Sequence, residues 1–269
     1  MEMRDLGSTG LRVSAIGLGT VKLGRTAGLK HPRPFEIPDD DAARALLARA
    51  QDLGINLIDT APAYGVSEER LGALLTGQRD RWVVCTKAGE EFDGERSRFD
   101  FTPRAIRASV ERSLRRLRTD ALDCVLLHSD GDDAHVVRDS GAMGALERLR
   151  DEGKVRAVGA STKTPEGAAM AVERSDVVML ACNPRETGDD AAIESARARG
   201  VGVLVKKALM SGRLGDGDGG AEPATTDPVE AALRFVFARR GVSSVVVGTI
   251  NPEHLSDNVA AAERALRAH

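Results

Sequence analysis

Short apolar runs alternate with longer segments of helical period along almost the whole chain, and this rhythm restricts the fold more than any other feature. It indicates parallel strands joined by crossover helices. The spacing predicts strands over 15–20, 55–59, 82–87, 123–128, 155–161, 177–183, 201–207 and 243–248. Helices are predicted between them, near 39–53, 66–76, 102–117, 140–152, 165–174, 189–199, 228–239 and 252–267. Thr102-Pro103, Thr164-Pro165 and Asn251-Pro252 each place a capping residue before a proline at the first helical position. Gly54, Gly153 and Gly200 stand between a helix and the next strand, where a left-handed cap is expected. About eight such units in roughly 250 residues is the size of a closed (β/α)8 TIM barrel of the α/β class. The expectation is one barrel domain over 1–269. An open doubly wound sheet would need a glycine-rich turn after its first strand, whereas Gly17-Leu18-Gly19-Thr20 leads into a long loop.

Composition removes several classes of function. A net charge of -3 offers no electrostatic case for nucleic acid or an anionic membrane. No apolar run is long enough to span a bilayer, and Met1-Glu2-Met3-Arg4-Asp5 does not read as a signal peptide. Cys85, Cys124 and Cys182 lie in predicted strands without metal-ligand spacing, and three is an odd number for a disulfide framework. Reduced buried thiols, a cytoplasmic location and no metal are the expectations.

Barrel enzymes work at the C-terminal ends of their strands. Asp59, Lys87 and His128 close the second, third and fourth predicted strands, and Tyr64, the only tyrosine, follows the second. Singly, each has an ordinary explanation: a cap, a surface lysine, a core histidine, a packed ring. Together, in strand order, they can converge on one mouth. A phenol with a pKa of ~10 exchanges protons poorly at neutral pH. A nearby ammonium is expected to lower that pKa, with a carboxylate holding the ammonium in place. A neutral imidazole can orient a substrate oxygen. Such a set suits protonation of a carbonyl oxygen while hydride arrives from elsewhere, or the reverse.

On these residues the chain resembles the aldo-keto reductase superfamily over nearly its whole length. Leu6-Gly7-Ser8-Thr9-Gly10-Leu11-Arg12-Val13-Ser14 is similar to the family's N-terminal β-hairpin, and Gly17-Leu18-Gly19-Thr20 to its first strand. Asp59-Thr60-Ala61-Pro62-Ala63-Tyr64-Gly65, followed by Ser67-Glu68-Glu69-Arg70-Leu71-Gly72, is the most specific match. The resemblance implies a catalytic tetrad of Asp59, Tyr64, Lys87 and His128, with Tyr64 as general acid or base. It also implies NAD(P)H lying extended across the mouth without a Rossmann domain, and a small-molecule carbonyl substrate.

The cofactor contacts implied by the resemblance depart from the usual family pattern. Thr20 lies at the mouth, and Ser161-Thr162 stands where Ser-Asn usually holds the carboxamide. Met179 replaces a common glutamine, and Lys206 a stacking aromatic. The segment with Lys206, Lys207, Leu209, Ser211 and Gly212 resembles the pyrophosphate loop, and its two lysines suit an anion. Gly248, Thr249, His254 and Asn258 fall in the adenosine-binding turn and helix, with a histidine where many members carry a basic residue against the 2′-phosphate. NADP(H) is favoured and NAD(H) left open. The sequence ends at His269 without the long C-terminal loop of many relatives, so specificity is expected from loops 20–38, 88–101 and 211–227. The first carries Lys22, Arg25, Lys30, His31 and Arg33, for an anionic substrate or for solubility. Gly215-Asp216-Gly217-Asp218-Gly219-Gly220 matches neither a phosphate loop nor a calcium loop and reads as a lid or linker. The departures give weight to one rival, a cofactor-binding sensor or regulatory subunit with little turnover; a second rival is a barrel lyase or isomerase using Lys87 as a Schiff-base nucleophile.

Overall fold

The computed structural model describes residues 1–28, 34–212, 214 and 227–267. The chain opens with β1 (Met3–Asp5) and β2 (Arg12–Ser14), an antiparallel pair. Barrel strands β3 (Ile16–Gly19), β4 (Leu57–Asp59) and β5 (Val83–Ala88) follow, with α1 (Asp40–Asp52) and α2 (Ser67–Leu74) between them. After β5 come a second antiparallel hairpin, β6 (Glu90–Phe92) with β7 (Ser97–Phe99), and α3 (Pro103–Arg116). The remaining barrel strands are β8 (Leu122–His128), β9 (Val155–Ser161), β10 (Val177–Ala181), β11 (Gly202–Lys206) and β12 (Val242–Val247). They alternate with α4 (Ala142–Asp151), α5 (Pro165–Arg174), α6 (Asp190–Arg199), α7 (Pro228–Phe237) and α8 (Pro252–Arg267). The closed order is β10-β11-β12-β3-β4-β5-β8-β9, with every neighbouring pair parallel. This is the predicted (β/α)8 barrel.

Two apolar layers hold it. Inside the barrel, Leu57, Cys85, Cys124, Leu126, Val177 and Leu204 pack together, and Leu6 and Val13 of the first hairpin join them. Outside, strand residues such as Ile58, Val84 and Val125 meet Leu46, Ile106 and Leu146 from the helices. The first hairpin closes the N-terminal end, because its bonds reach the strand starts: Ser8 N donates to Gly200 O at 2.7 Å and Arg4 Nη1 to Val242 O at 2.9 Å. Gly7 has φ +58°, and a Cβ there would lie 2.3 Å from Gly202 N, so only glycine passes. With that end plugged, the opposite mouth is left for ligands.

The caps read from sequence form as physical bonds. Thr102 Oγ1 accepts from Ala105 N at 3.3 Å and Thr164 Oγ1 from Gly167 N at 3.0 Å. Gly200 ends α6 at φ +71°. Two expectations change. β10 stops at Ala181, because Asn183 Oδ1 accepts from the Arg185 and Glu186 amides, each at 3.0 Å, and turns the chain. Loop 88–101 is largely the β6–β7 hairpin, turned by Asp93 Oδ1 accepting from Glu95 N and Arg96 N. Its strands are too short and charged for an alternating pattern to register. Lys30, His31, Arg33 and the Gly215–Gly220 motif lie outside the described residues.

Candidate active site

Asp59 and Lys87 occupy the C-terminal parts of adjacent strands β4 and β5, and the turn Pro62–Tyr64 brings the phenol back over them. Lys87 is 1% exposed. Its Nζ donates to Asp59 Oδ1 at 2.5 Å, Thr60 O at 2.9 Å and the Tyr64 hydroxyl at 3.1 Å, which uses all three ammonium protons. Tyr64 in turn donates to Asp59 Oδ2 at 3.3 Å. Burial opposes the lysine's charge, but Asp59 and Tyr64 overcome it and hold the ammonium above the ordinary lysine range. A lysine kept charged in this way is no Schiff-base nucleophile.

The phenol does not behave as expected. Burial, aided by the Asp59 carboxylate, raises its pKa above the usual tyrosine range despite Lys87. The expected lowering fails because the ammonium arrives with its own counter-ion. Tyr64 is therefore a neutral proton donor in this state.

His128 ends β8 with its ring edge-on to Tyr64, centroids 6.3 Å apart. Burial lowers its pKa, and Lys87 and Lys206 push the same way against Glu90. Glu90 is a site residue that the sequence did not single out. Its Oε2 lies 2.7 Å from His128 Nδ1. One glutamate among the acids of 88–101 carries no distinguishing signal; the hairpin places it.

Asp59, Tyr64, Lys87 and His128 line one cavity of about 270 Å³, together with Gly19, Thr20, Ser161, Met179, Lys206 and Gly248. Thr20 Oγ1 donates to Asp59 O at 2.8 Å and accepts from Ser67 Oγ at 2.9 Å, so it clamps the end of β4. Glu68, next to Ser67, is buried; it accepts from Thr86 Oγ1 at 2.7 Å and pairs with Arg116. These contacts tie α2 and α3 to the site strands.

Lys206 turns inward instead of lying on the rim. Its Nζ donates to Ser161 Oγ at 2.9 Å and Thr162 O at 2.6 Å, and burial brings its pKa down to about 8, with Lys207 and Lys87 adding to the fall. Lys207 stays at the surface, 3.2 Å from Glu186 Oε2. Leu209 packs against the core beside the turn Met210–Gly212, where Gly212 has φ +84°; the Ser211 side chain lies outside the description. Thr249 Oγ1 accepts from Asn251 N at 3.1 Å. His254 is exposed on the first turn of α8, and Asn258 lines a separate crevice with Asp227 and Arg264.

The mouth offers an open polar position and free space where a nicotinamide would lie. Thr162 Oγ1 is buried without a hydrogen-bond partner among the described residues, an open polar position beside Ser161. A Cβ at Gly248 would meet only Gly19 O, at 3.9 Å, which leaves space on that wall.

The model of the aldo/keto reductase family matches residues 15–227. The chain belongs to this family. An aldo-keto reductase structure from Pseudomonas aeruginosa superposes with a TM-score of 0.87 at 49% identity, over 98% of this chain and 96% of that one. The holo form of an aldo-keto reductase from Bacillus halodurans does so with 0.81 at 28% identity, over 98% and 91%. By sequence, the L-galactose dehydrogenase of Arabidopsis thaliana is 30% identical, over 97% of this chain and 88% of the relative. The D-threo-aldose 1-dehydrogenase of a Pseudomonas species is 31% identical, over 93% and 90%. As an aldo-keto reductase, the protein is an oxidoreductase of small carbonyl or alcohol substrates, in a family that uses nicotinamide cofactors. Among the described residues no helix is long and apolar enough to cross a membrane, and no cluster of ligating side chains could hold a metal.

Proposed function

We propose that the protein reversibly reduces an aldehyde or ketone with NAD(P)H, using Tyr64 as the proton donor. The observation that carries this reading is the Asp59–Lys87–Tyr64 hydrogen-bonded set at a barrel mouth. Bound nicotinamide supplies the hydride. Tyr64 donates to the carbonyl oxygen, Lys87 steadies the charge that develops on the phenol, and Asp59 holds Lys87 in place. The buried Asp59–Lys87 pair beside Tyr64 also supports turnover over a pure sensor role, which gives no reason to bury an ion pair against a phenol.

Ser161 and Thr162 would hold the carboxamide, Lys206 would face the nicotinamide, and Lys207 with the Met210–Gly212 turn would meet the pyrophosphate. NADP(H) is the favoured form on the family resemblance; the first amides of α8 add no support, because Asn251 Oδ1 already accepts from Glu253 N and His254 N. Three buried free thiols suit a cytoplasmic setting. A spectrophotometric screen of NADPH and NADH oxidation over a panel of aldehydes and ketones tests the reading. Turnover that is absent across the panel, or untouched by Tyr64→Phe, would refute it.

A further inference from the structure

We infer that Lys206 decides which oxidation state of nicotinamide the free enzyme takes up: its ammonium favours the neutral reduced ring over the positively charged oxidised one. The inference rests on the oxidoreductase reading above and deepens it.

Three lysines line the cavity, and two carry their own counter-ions. Lys87 Nζ meets Asp59 Oδ1 at 2.5 Å, and Lys207 Nζ meets Glu186 Oε2 at 3.2 Å. Lys206 Nζ meets only a hydroxyl and a carbonyl, Ser161 Oγ at 2.9 Å and Thr162 O at 2.6 Å. Asp133 and Asp189 attract it, but their carboxylates are engaged elsewhere. Asp133 accepts from Lys163 N, Thr164 N and Thr164 Oγ1, and Asp189 from Ala181 N. Among the described residues Lys206 forms no ion pair. Ser161 and Thr162 are both buried, so the two bonds fix an uncompensated ammonium to one wall of the cavity.

A hydride donor has no place in this site away from that wall. Transfer brings the ring within about 3–3.5 Å of the carbonyl carbon, and the oxygen of that carbonyl has to reach Tyr64. Tyr64, Ser161 and Lys206 line one space of about 270 Å³, so every occupant stays close to all its walls. The reduced ring is neutral and electron-rich, and a cation beside it is attracted. The oxidised ring carries a positive charge, and two cations in a partly desolvated cavity repel. The diphosphate and adenosine ends are identical in the two forms. Whatever Lys206 does for them cancels when the two forms are compared.

The groups facing Lys206 are Lys87 from β5, His128 from β8, Asp133 after β8, Asp189 at the start of α6 and Lys207 beside it. Burial and the neighbouring lysines bring Lys206 down to about 8 against the two aspartates. Lys87 and Tyr64 are held above their ordinary ranges and His128 below its own. Of these shifted groups, Lys206 is the one that changes charge between pH 7 and 9.

The test is isothermal titration with NADPH and NADP⁺, and with NADH and NAD⁺, in the absence of a carbonyl substrate. The quantity read is the ratio of dissociation constants, oxidised over reduced. It should fall about tenfold in Lys206→Met at pH 7. In the wild type it should fall by most of that factor between pH 7 and 9, while the variant stays flat. A wild-type ratio that does not move with pH overturns the inference and requires no variant. A variant that weakens both forms equally overturns it too, and makes Lys206 a contact for the diphosphate alone. If neither dinucleotide binds in either form, the oxidoreductase reading itself falls. The expected ratios without turnover of any carbonyl would uphold the role of Lys206 and count against the reductase reading only.

Discussion

The Lys87 ammonium donates to the Tyr64 hydroxyl across 3.1 Å, yet the phenol is harder to ionise than free tyrosine. Burial is the main reason, and Asp59, which takes the same ammonium at 2.5 Å, adds its own negative charge beside the ring. The pair is nearly neutral from the phenol's position, and burial decides the direction. The site is therefore set to give a proton at neutral pH. Accepting one becomes easier when positive charge arrives, as it does with an oxidised nicotinamide.

Tyr64→Phe removes the proton donor and keeps the ring. Reduction should slow by ~100-fold or more, while cofactor affinity changes little. Single-turnover rates and cofactor titration by fluorescence measure the two separately. A Phe variant with near-normal turnover would show that another group supplies the proton.

Lys87→Met acts on the fold as well as on the chemistry. It leaves Asp59, 4% exposed, without its buried counter-ion, and breaking a buried pair from one side costs ~3–5 kcal/mol. Urea unfolding at pH 7 should show a loss of this order, and the double variant Lys87→Met, Asp59→Leu should recover part of it. A single variant as stable as wild type would mean that solvent reaches the pair.

Much of this arrangement is legible in the sequence, and what is not has a physical cause. The eight strands and helices follow from periodicity, and Asp59, Lys87 and His128 stand out because polar side chains end apolar runs. The inward turn of Lys206 is hidden, because a lysine at a strand end reads the same whether it points to solvent or to Ser161. Glu90 is hidden for a different reason. Its meaning comes from a hairpin formed by tertiary context, in a stretch where acidic residues are common. The departures from the family pattern at Thr162 and Lys206 are visible from sequence, but the bond from Lys206 Nζ to the main-chain carbonyl of Thr162 is not.

Lys206 should give the site a pH dependence of its own. With a pKa near 8, it carries a charge at pH 7 and loses it as pH rises through that value. If the ammonium helps to hold the cofactor, the wild-type dissociation constant should increase by about three- to tenfold between pH 7 and 9. Lys206→Met should be weaker at pH 7 and flat over the same range. Identical pH curves for the two proteins would remove the ammonium from cofactor binding.

Lys207 offers a contrast, because it stands on the surface beside Glu186. An exposed cation that meets a diphosphate is screened by salt, with a Debye length of ~10 Å at 0.1 M. Lys207→Ala should then weaken cofactor binding at low ionic strength and converge on wild type at high salt. Equal affinities at low salt would assign Lys207 to its ion pair with Glu186 alone.

Acid should act on the mouth first through His128 and then through Glu90. The folded pKa of His128 is depressed, so its contribution to stability is present above the unfolded value of ~6.5 and is lost as pH falls through the folded one. Glu90 is depressed from 4.5 to about 2, so its contribution is present above 4.5 and disappears as pH falls toward 2. The group is partly solvated, which reduces the ~3 kcal/mol that such a shift would represent to about 1–2 kcal/mol. Denaturant unfolding of wild type and Glu90→Gln should therefore differ by that amount at pH 6, with the gap closing between pH 4.5 and 2. A gap that persists unchanged at the acid end would show that Glu90 supports the hairpin by packing and not by its charge.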